Sequence, residues 1–178
     1  MKQTFSFVLF LSFFFSSLLY GNPVKSSPDR EYQAIFKDIE NSEYKQAIGK
    51  LKAYHAKGKS QEKSNLLLGQ LYVMDKNYPD AFKVFFNIPK KEHDLVYLTI
   101  VIDSMNKQYA ETKKIESREQ VNPIISEFFE INPKYSDKSK GLITTFLSYY
   151  PDQSLEKKYC EDLQKKNQEK CEFKKDNK

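Results

Sequence analysis

Apolar residues along this chain recur at the spacing of helix faces. Tyr44, Ala47, Ile48, Leu51, Tyr54 and His55 fall at intervals of three and four, one stripe of an amphipathic helix. A second run, residues 66–74, sets Leu68, Leu71 and Tyr72 on one side with Leu67 and Met74 close by, and the polar triplet Asp75-Lys76-Asn77 breaks it. Tyr78, Ala81, Phe82, Phe85 and Ile88 form the next stripe, which stops before Pro89. After the polar turn Lys90-Lys91-Glu92, a further stripe runs through Leu95, Leu98, Val101, Ile102 and Met105. Residues 121–131, 137–150 and 153–166 carry three more, and the first two stop at Asn132-Pro133 and Pro151. The stretch 106–123 reads in two ways: one long helix over 94–119, or two short ones separated by a loop. Asn122-Pro123 is expected to interrupt the second helix of that unit. No apolar–polar alternation bounded by hairpin turns occurs, so the fold class is all-α.

The lengths add a constraint. Helices of about ten to fifteen residues joined by short polar turns place neighbours antiparallel, as hairpins. None of them buries enough apolar surface alone, so successive hairpins must stack. Residues 22–29, polar and carrying two prolines, read as a linker into a helical domain over 30–166.

At a 34-residue period, residues 62–95 supply Leu68-Gly69, then Tyr72, Ala81 and Phe85. In order and spacing these resemble the Leu-Gly, Tyr, Ala and Phe signature of the tetratricopeptide repeat. Ala47 and Leu51 stand 34 residues before Ala81 and Phe85, and residues 95–105 would open a third unit. The match departs from the family at Asn65, Ile88 and His93, where a large aromatic, a small residue and a proline are usual. Physical reasons fit the pattern: Gly69 lets two helices approach closely, and Ala81 is small where they cross. The resemblance implies antiparallel hairpins stacked as a short solenoid, with the first helix of each pair lining an inner surface. That surface would comprise Tyr32 and Phe36, then Lys63, Leu66, Gln70 and Val73, then Tyr97, Ile100 and Ser104. Its expected occupant is a protein or peptide partner.

The ends of the chain add an address. Lys2 precedes an apolar run over residues 5–20 that is closed by Gly21, Asn22 and Pro23. The run is shorter than the roughly 20 residues of a spanning helix and suits a signal peptide over residues 1–21. An uncleaved anchor is the alternative, and would be the only membrane contact. The expected location is periplasmic or secreted.

Composition narrows the chemistry. The 178 residues carry 29 Lys+Arg against 24 Asp+Glu, a formal charge of +5, but only Arg30 and Arg118 are arginines. Lysines interleaved with acids make a solvated surface, whereas nucleic-acid sites favour the arginine fork, so no nucleic-acid partner is expected. Two cysteines and two histidines lack metal-ligand spacing, and no metal or cofactor is expected. Cys160 and Cys171 lie eleven residues apart, about 16 Å on a continuous helix. In an exported chain an intrachain disulfide is the expected state of the pair, and it needs a turn near residues 165–168, which would fold a basic tail, 167–178, back on the domain. Reduced thiols or a link between chains remain open. The carboxylate pairs Asp38/Glu40 and Glu127/Glu130 read as solvated helix faces. No nucleophile-elbow, dinucleotide or P-loop motif occurs, and with the apolar leader the tetratricopeptide resemblance implies a non-enzymatic interaction module of the bacterial cell envelope. A surface structural or adhesive protein, or an envelope-polymer hydrolase, are the alternatives.

Overall fold

The computed structural model describes residues 29–60 and 63–171, and among them finds eight α-helices and no strand. These are α1 (Arg30–Glu40), α2 (Tyr44–Ala56), α3 (Ser64–Met74), α4 (Tyr78–Phe86), α5 (Leu95–Thr112), α6 (Arg118–Ile131), α7 (Asp137–Tyr149) and α8 (Gln153–Asn167). A 3-10 turn, Lys90–Glu92, separates α4 from α5. The expected signal peptide, all but the last residue of the linker, and residues 172–178 of the tail lie outside the described residues. No helix among the described residues is long and apolar enough to cross a membrane.

Side-chain caps open most of these helices. Asp29 accepts the Glu31 amide at 3.0 Å, Asp94 the Tyr97 amide at 2.7 Å, and Asp152 the Ser154 and Leu155 amides at 2.9 and 3.1 Å. Their ends are less conventional. Gly58 follows α2 with φ +69°, but Ser42, Lys76, Lys113 and Gln168 take the same left-handed turn after α1, α3, α5 and α8. A side chain in that region costs about 1 kcal/mol or more relative to glycine.

One of those turns resolves the stretch that the sequence leaves undecided. Helix α5 runs to Thr112, Lys113 (φ 58°) reverses the chain, and α6 begins at Arg118. The expected interruption at Asn122-Pro123 does not occur, because Pro123 lies inside α6. Its ring removes one donor, the one that would reach the Glu119 carbonyl, and both residues are exposed, so water can take that carbonyl.

Helix α3 is the pivot of the packing. It touches α2, α4 and α5, and its residues feed two apolar clusters. Leu68 and Leu71 join Ile35, Ile39, Ala47, Ile48 and Leu51 of α1 and α2. Leu66, with the half-buried Tyr72 and Val73, faces a larger core that extends through α4 and α5 to Leu155, Tyr159 and Leu163 of α8. A helix covered on both sides must be apolar nearly all round, which accounts for the run Leu66-Leu67-Leu68. Downstream, α5 packs on α6 and α7, and α8 packs on α6. The Asn106 amide of α5 donates to the Leu142 carbonyl of α7 at 3.2 Å.

Gly69 sets the closest approach. A Cβ placed there would fall inside the contact distance of the Phe85 ring, which is fully buried on α4. Alanine would add up to about 1 kcal/mol of helix propensity, but overpacking against an enclosed ring costs about 1–3 kcal/mol. Gly69→Ala should therefore lower the melting temperature by about 3 °C or more, measured by circular dichroism. An unchanged or higher melting temperature would show that the ring moves aside freely.

The C-terminal end is closed covalently. Cys160 and Cys171 are disulfide-bonded with Cα atoms 5.1 Å apart, and Gln168 (φ 60°) makes the turn that permits it. Beside it, Asn167 grips Tyr135 twice, accepting its amide at 2.9 Å and donating to its carbonyl at 2.7 Å. The Tyr135 hydroxyl donates to Asp162 at 2.6 Å. Closing so short a loop stabilises by roughly 2–3 kcal/mol in the chain-entropy account. Replacing both cysteines by serine should lower the urea-unfolding free energy by that amount, with no change if the tail is held by Asn167 alone.

Candidate functional site

A cleft of about 570 Å³ lies where the chain enters α3 and where it passes from α4 to α5. Ser60, Lys63, Ser64 and Leu66 line one side, and Lys91, His93, Asp94 and Tyr97 line the other. Leu66, Ile88 and Tyr97 are buried and form an apolar floor, while Lys63, Lys91 and Glu92 are exposed. Lys63 and Asp94 bridge the mouth at 2.7 Å, with side chains 39% and 44% exposed. Burial pulls the Asp94 carboxyl upward, but the Lys63 ammonium and the Tyr97 amide outweigh it and hold the group below its ordinary value. Asp94 therefore stays ionised, and the mouth presents both signs of charge.

The wall below Asp94 is built around His93. Its Nε2 lies 3.0 Å from the Ile88 carbonyl oxygen and its Nδ1 lies 3.0 Å from Glu127 Oε2. Its ring stacks on Tyr97 with centroids 4.1 Å apart and planes at 17°. The Tyr97 hydroxyl in turn donates to the Phe85 carbonyl at 3.0 Å. Burial, with the charge of Glu127 adding to it, pushes the Tyr97 hydroxyl well above the ordinary tyrosine value, so it remains a neutral donor. Four elements, the end of α4, the 3-10 turn, α5 and α6, thus meet at one imidazole.

Behind the opposite wall stands a second histidine, bonded to the lining residue Ser64. His55 Nε2, at the end of α2, lies 2.9 Å from Ser64 Oγ, which sits 3.4 Å from Ser60 Oγ. Ser64 is buried at the first position of α3. A serine–histidine contact invites comparison with a nucleophile and its base, but among the described residues no carboxylate bonds to His55. The contact ties the end of α2 to the start of α3. Burial pushes the His55 imidazole below its ordinary value.

Of the nine residues assigned to an inner surface, the cleft brings together Lys63, Leu66 and Tyr97. Lys63 is exposed, whereas Tyr32, Phe36 and Val73 are half-buried, and the Tyr32 and Phe36 rings meet edge to face at 5.3 Å. Leu66, Gln70, Tyr97, Ile100 and Ser104 are buried. Ser104 Oγ donates to the Ile100 carbonyl of its own helix at 2.7 Å, and Tyr97, expected on the inner surface, is a core ring. The two carboxylate pairs also differ from a solvated reading. Asp38 is buried beneath Lys50, 2.7 Å away, while Glu40 is exposed. Glu127 is engaged by His93, while Glu130 is exposed.

With this geometry in hand, comparison of the chain with protein-family models, with curated proteins and with solved structures finds no match in any of the three. Among the described residues no group of three or more His, Cys, Asp or Glu side chains comes together as metal ligands would.

The lowered His55 value has a consequence for stability. Folding favours the neutral ring, so its contribution is complete above the unfolded value of about 6.5 and is lost as pH falls below it. The melting-temperature gap between the wild-type chain and His55→Gln should be wider at about pH 7.5 than at about pH 5. A gap independent of pH would mean that His55 ionises as freely in the fold as in water.

Proposed function

We propose that this chain is a non-enzymatic interaction module of the bacterial cell envelope, a short stack of tetratricopeptide-like hairpins that holds a polypeptide in the cleft beside Lys63. The observation that carries the reading is the Gly69–Phe85 contact. Leu68-Gly69, Tyr72, Ala81 and Phe85 stand in the family's order, and the glycine lies against the phenylalanine ring, the close approach the pattern requires. The order of contacts supports it as far as α7. Helices α1 and α2, α3 and α4, and α5 and α6 touch as pairs, while α3 with α5, and α5 with α7, touch as first helices of successive pairs. Helix α8 departs from the scheme by packing on α6.

A mixed-charge mouth over an apolar floor suits a polypeptide, whose backbone and side chains offer both polar and apolar groups. The bonded Cys160–Cys171 pair is compatible with an oxidising, exported location, which also agrees with the apolar leader.

The experiment is capture from an envelope fraction with the purified chain as bait, repeated with Lys63→Glu and with Lys91→Glu. Both lysines are exposed, so the variants should fold. The expected result is a polypeptide retained by the wild-type chain and weakened about tenfold or more by each reversal, equivalent to about 1.4 kcal/mol. Capture that is indifferent to both reversals would remove the cleft from the proposal.

A further inference from the structure

We propose that His93 and Glu127 form a clasp that fixes one wall of the cleft, held closed by one shared proton in mild acid and loosened as that proton is lost on raising the pH. The proposal deepens the reading of the cleft as a binding site by naming its regulation, but the clasp itself stands on geometry.

Nε2 faces a carbonyl oxygen, which can only accept, so Nε2 must carry a hydrogen. Nδ1 then faces a carboxylate oxygen at 3.0 Å. That second contact is attractive only if a proton lies between the two atoms, whether it resides on the ring or on the carboxyl. Without it, a nitrogen lone pair opposes a carboxylate in a place where the two side chains are 11% and 13% exposed. The alternative tautomer moves the clash to the Ile88 carbonyl. The folded arrangement therefore holds one proton that separated neutral histidine and ionised glutamate do not, so its stabilisation is present in mild acid, where a free histidine is charged and a free glutamate ionised, and is lost as pH rises.

The groups around the clasp come from every element packed on it. Helix α6 supplies Glu127, α5 supplies the stacked Tyr97, and the loop after α4 supplies the Ile88 carbonyl. Lys91, Glu92 and Asp94 neighbour it in the chain, and Lys63 reaches Asp94 from the opposite wall. None of these replaces the missing proton. Tyr97 is engaged with Phe85, and Asp94 is paired with Lys63. Because Ile88 and Tyr97 line the cleft, release of His93 frees the carbonyl of one and the ring face of the other.

The test needs no ligand, which separates its failure from failure of the interaction reading. Nitrogen-15 spectra of the imidazole should show both His93 nitrogens protonated, or Nδ1 in a shared hydrogen bond, at about pH 5.5. Melting temperatures of the wild-type chain and His93→Gln should differ by about 5 °C at that pH and converge at about pH 8. His55 is present in both chains, so its opposite dependence cancels in the difference. Glu127→Gln, whose carboxamide can accept from Nδ1–H or donate to bare Nδ1, should make the gap independent of pH. Methyl spectra complete the link to the cleft: Leu66 and Ile88 should shift with pH in the wild-type chain and hold still in His93→Gln. Ile35, in the other cluster, is the control. A wild-type–His93→Gln gap equal at both pH values overturns the clasp. Cleft methyls that stay fixed while His93 titrates overturn its hold on the cleft.

Discussion

The contact on which this structure depends is the seating of the Phe85 ring against the bare Cα of Gly69. Helix α3 places fully buried residues in both apolar clusters, and α4 is its tightest partner. If α4 stood off by the width of a methyl group, Ala81, Phe82 and Phe85 would leave a gap along α3, and close-packed interiors do not tolerate such a gap cheaply. Tyr97, whose hydroxyl donates to the Phe85 carbonyl, would lose its register with α4. The His93 ring stacked on Tyr97 would follow, and with it a wall of the cleft. One glycine thus positions the site from two layers away.

The helices were legible because their faces are written at a spacing that only a helix can use. Tyr44 to Tyr54, Tyr78 to Phe85 and Leu142 to Tyr150 each gather their apolar residues on one side, and Asn77, Asp94 and Pro133 mark where elements begin or stop. The connection between α5 and α6 was not legible, for a physical reason. A chain with five glycines makes its left-handed turns with whatever stands at the helix end, so Lys113 reverses the backbone without a glycine to announce it. Pro123 misleads in the other direction. Its lost hydrogen bond is affordable on an exposed face early in α6, and sequence alone does not tell an exposed proline from a buried one.

The site was legible only at its rim. Lys63 and the apolar Leu66 follow from the position of α3 in the repeat pattern, whereas Tyr97, Ile100 and Ser104 follow from the same pattern and lie inside. Tyr97 is covered by the His93 ring and holds the Phe85 carbonyl of α4, and Ser104 is turned to the Ile100 carbonyl of its own helix. His93 and Glu127 are 34 residues apart, one repeat length, and that spacing is the signal that could have paired them. Read singly, one is a turn residue and the other a surface acid, since burial of each depends on the presence of the other.

Surface charge ties the elements together without deciding their stability. Lys59 reaches Asp29 and Glu31 across α1 and α2, Arg118 reaches Asp152 between α6 and α8, and Lys140 reaches Glu169 beyond α8. Each of these pairs has at least one well-exposed partner, and such pairs contribute about 0–1 kcal/mol and weaken with salt. They orient helices whose burial has already been decided by apolar faces. His93 and Glu127 differ because both side chains are largely enclosed, so neither water nor salt can substitute for the partner. Losing one member of an enclosed pair leaves a group without solvation, and the structure must then move. A lysine-rich exterior that tolerates change therefore surrounds enclosed polar contacts that do not, and one of them stands in the wall of the cleft.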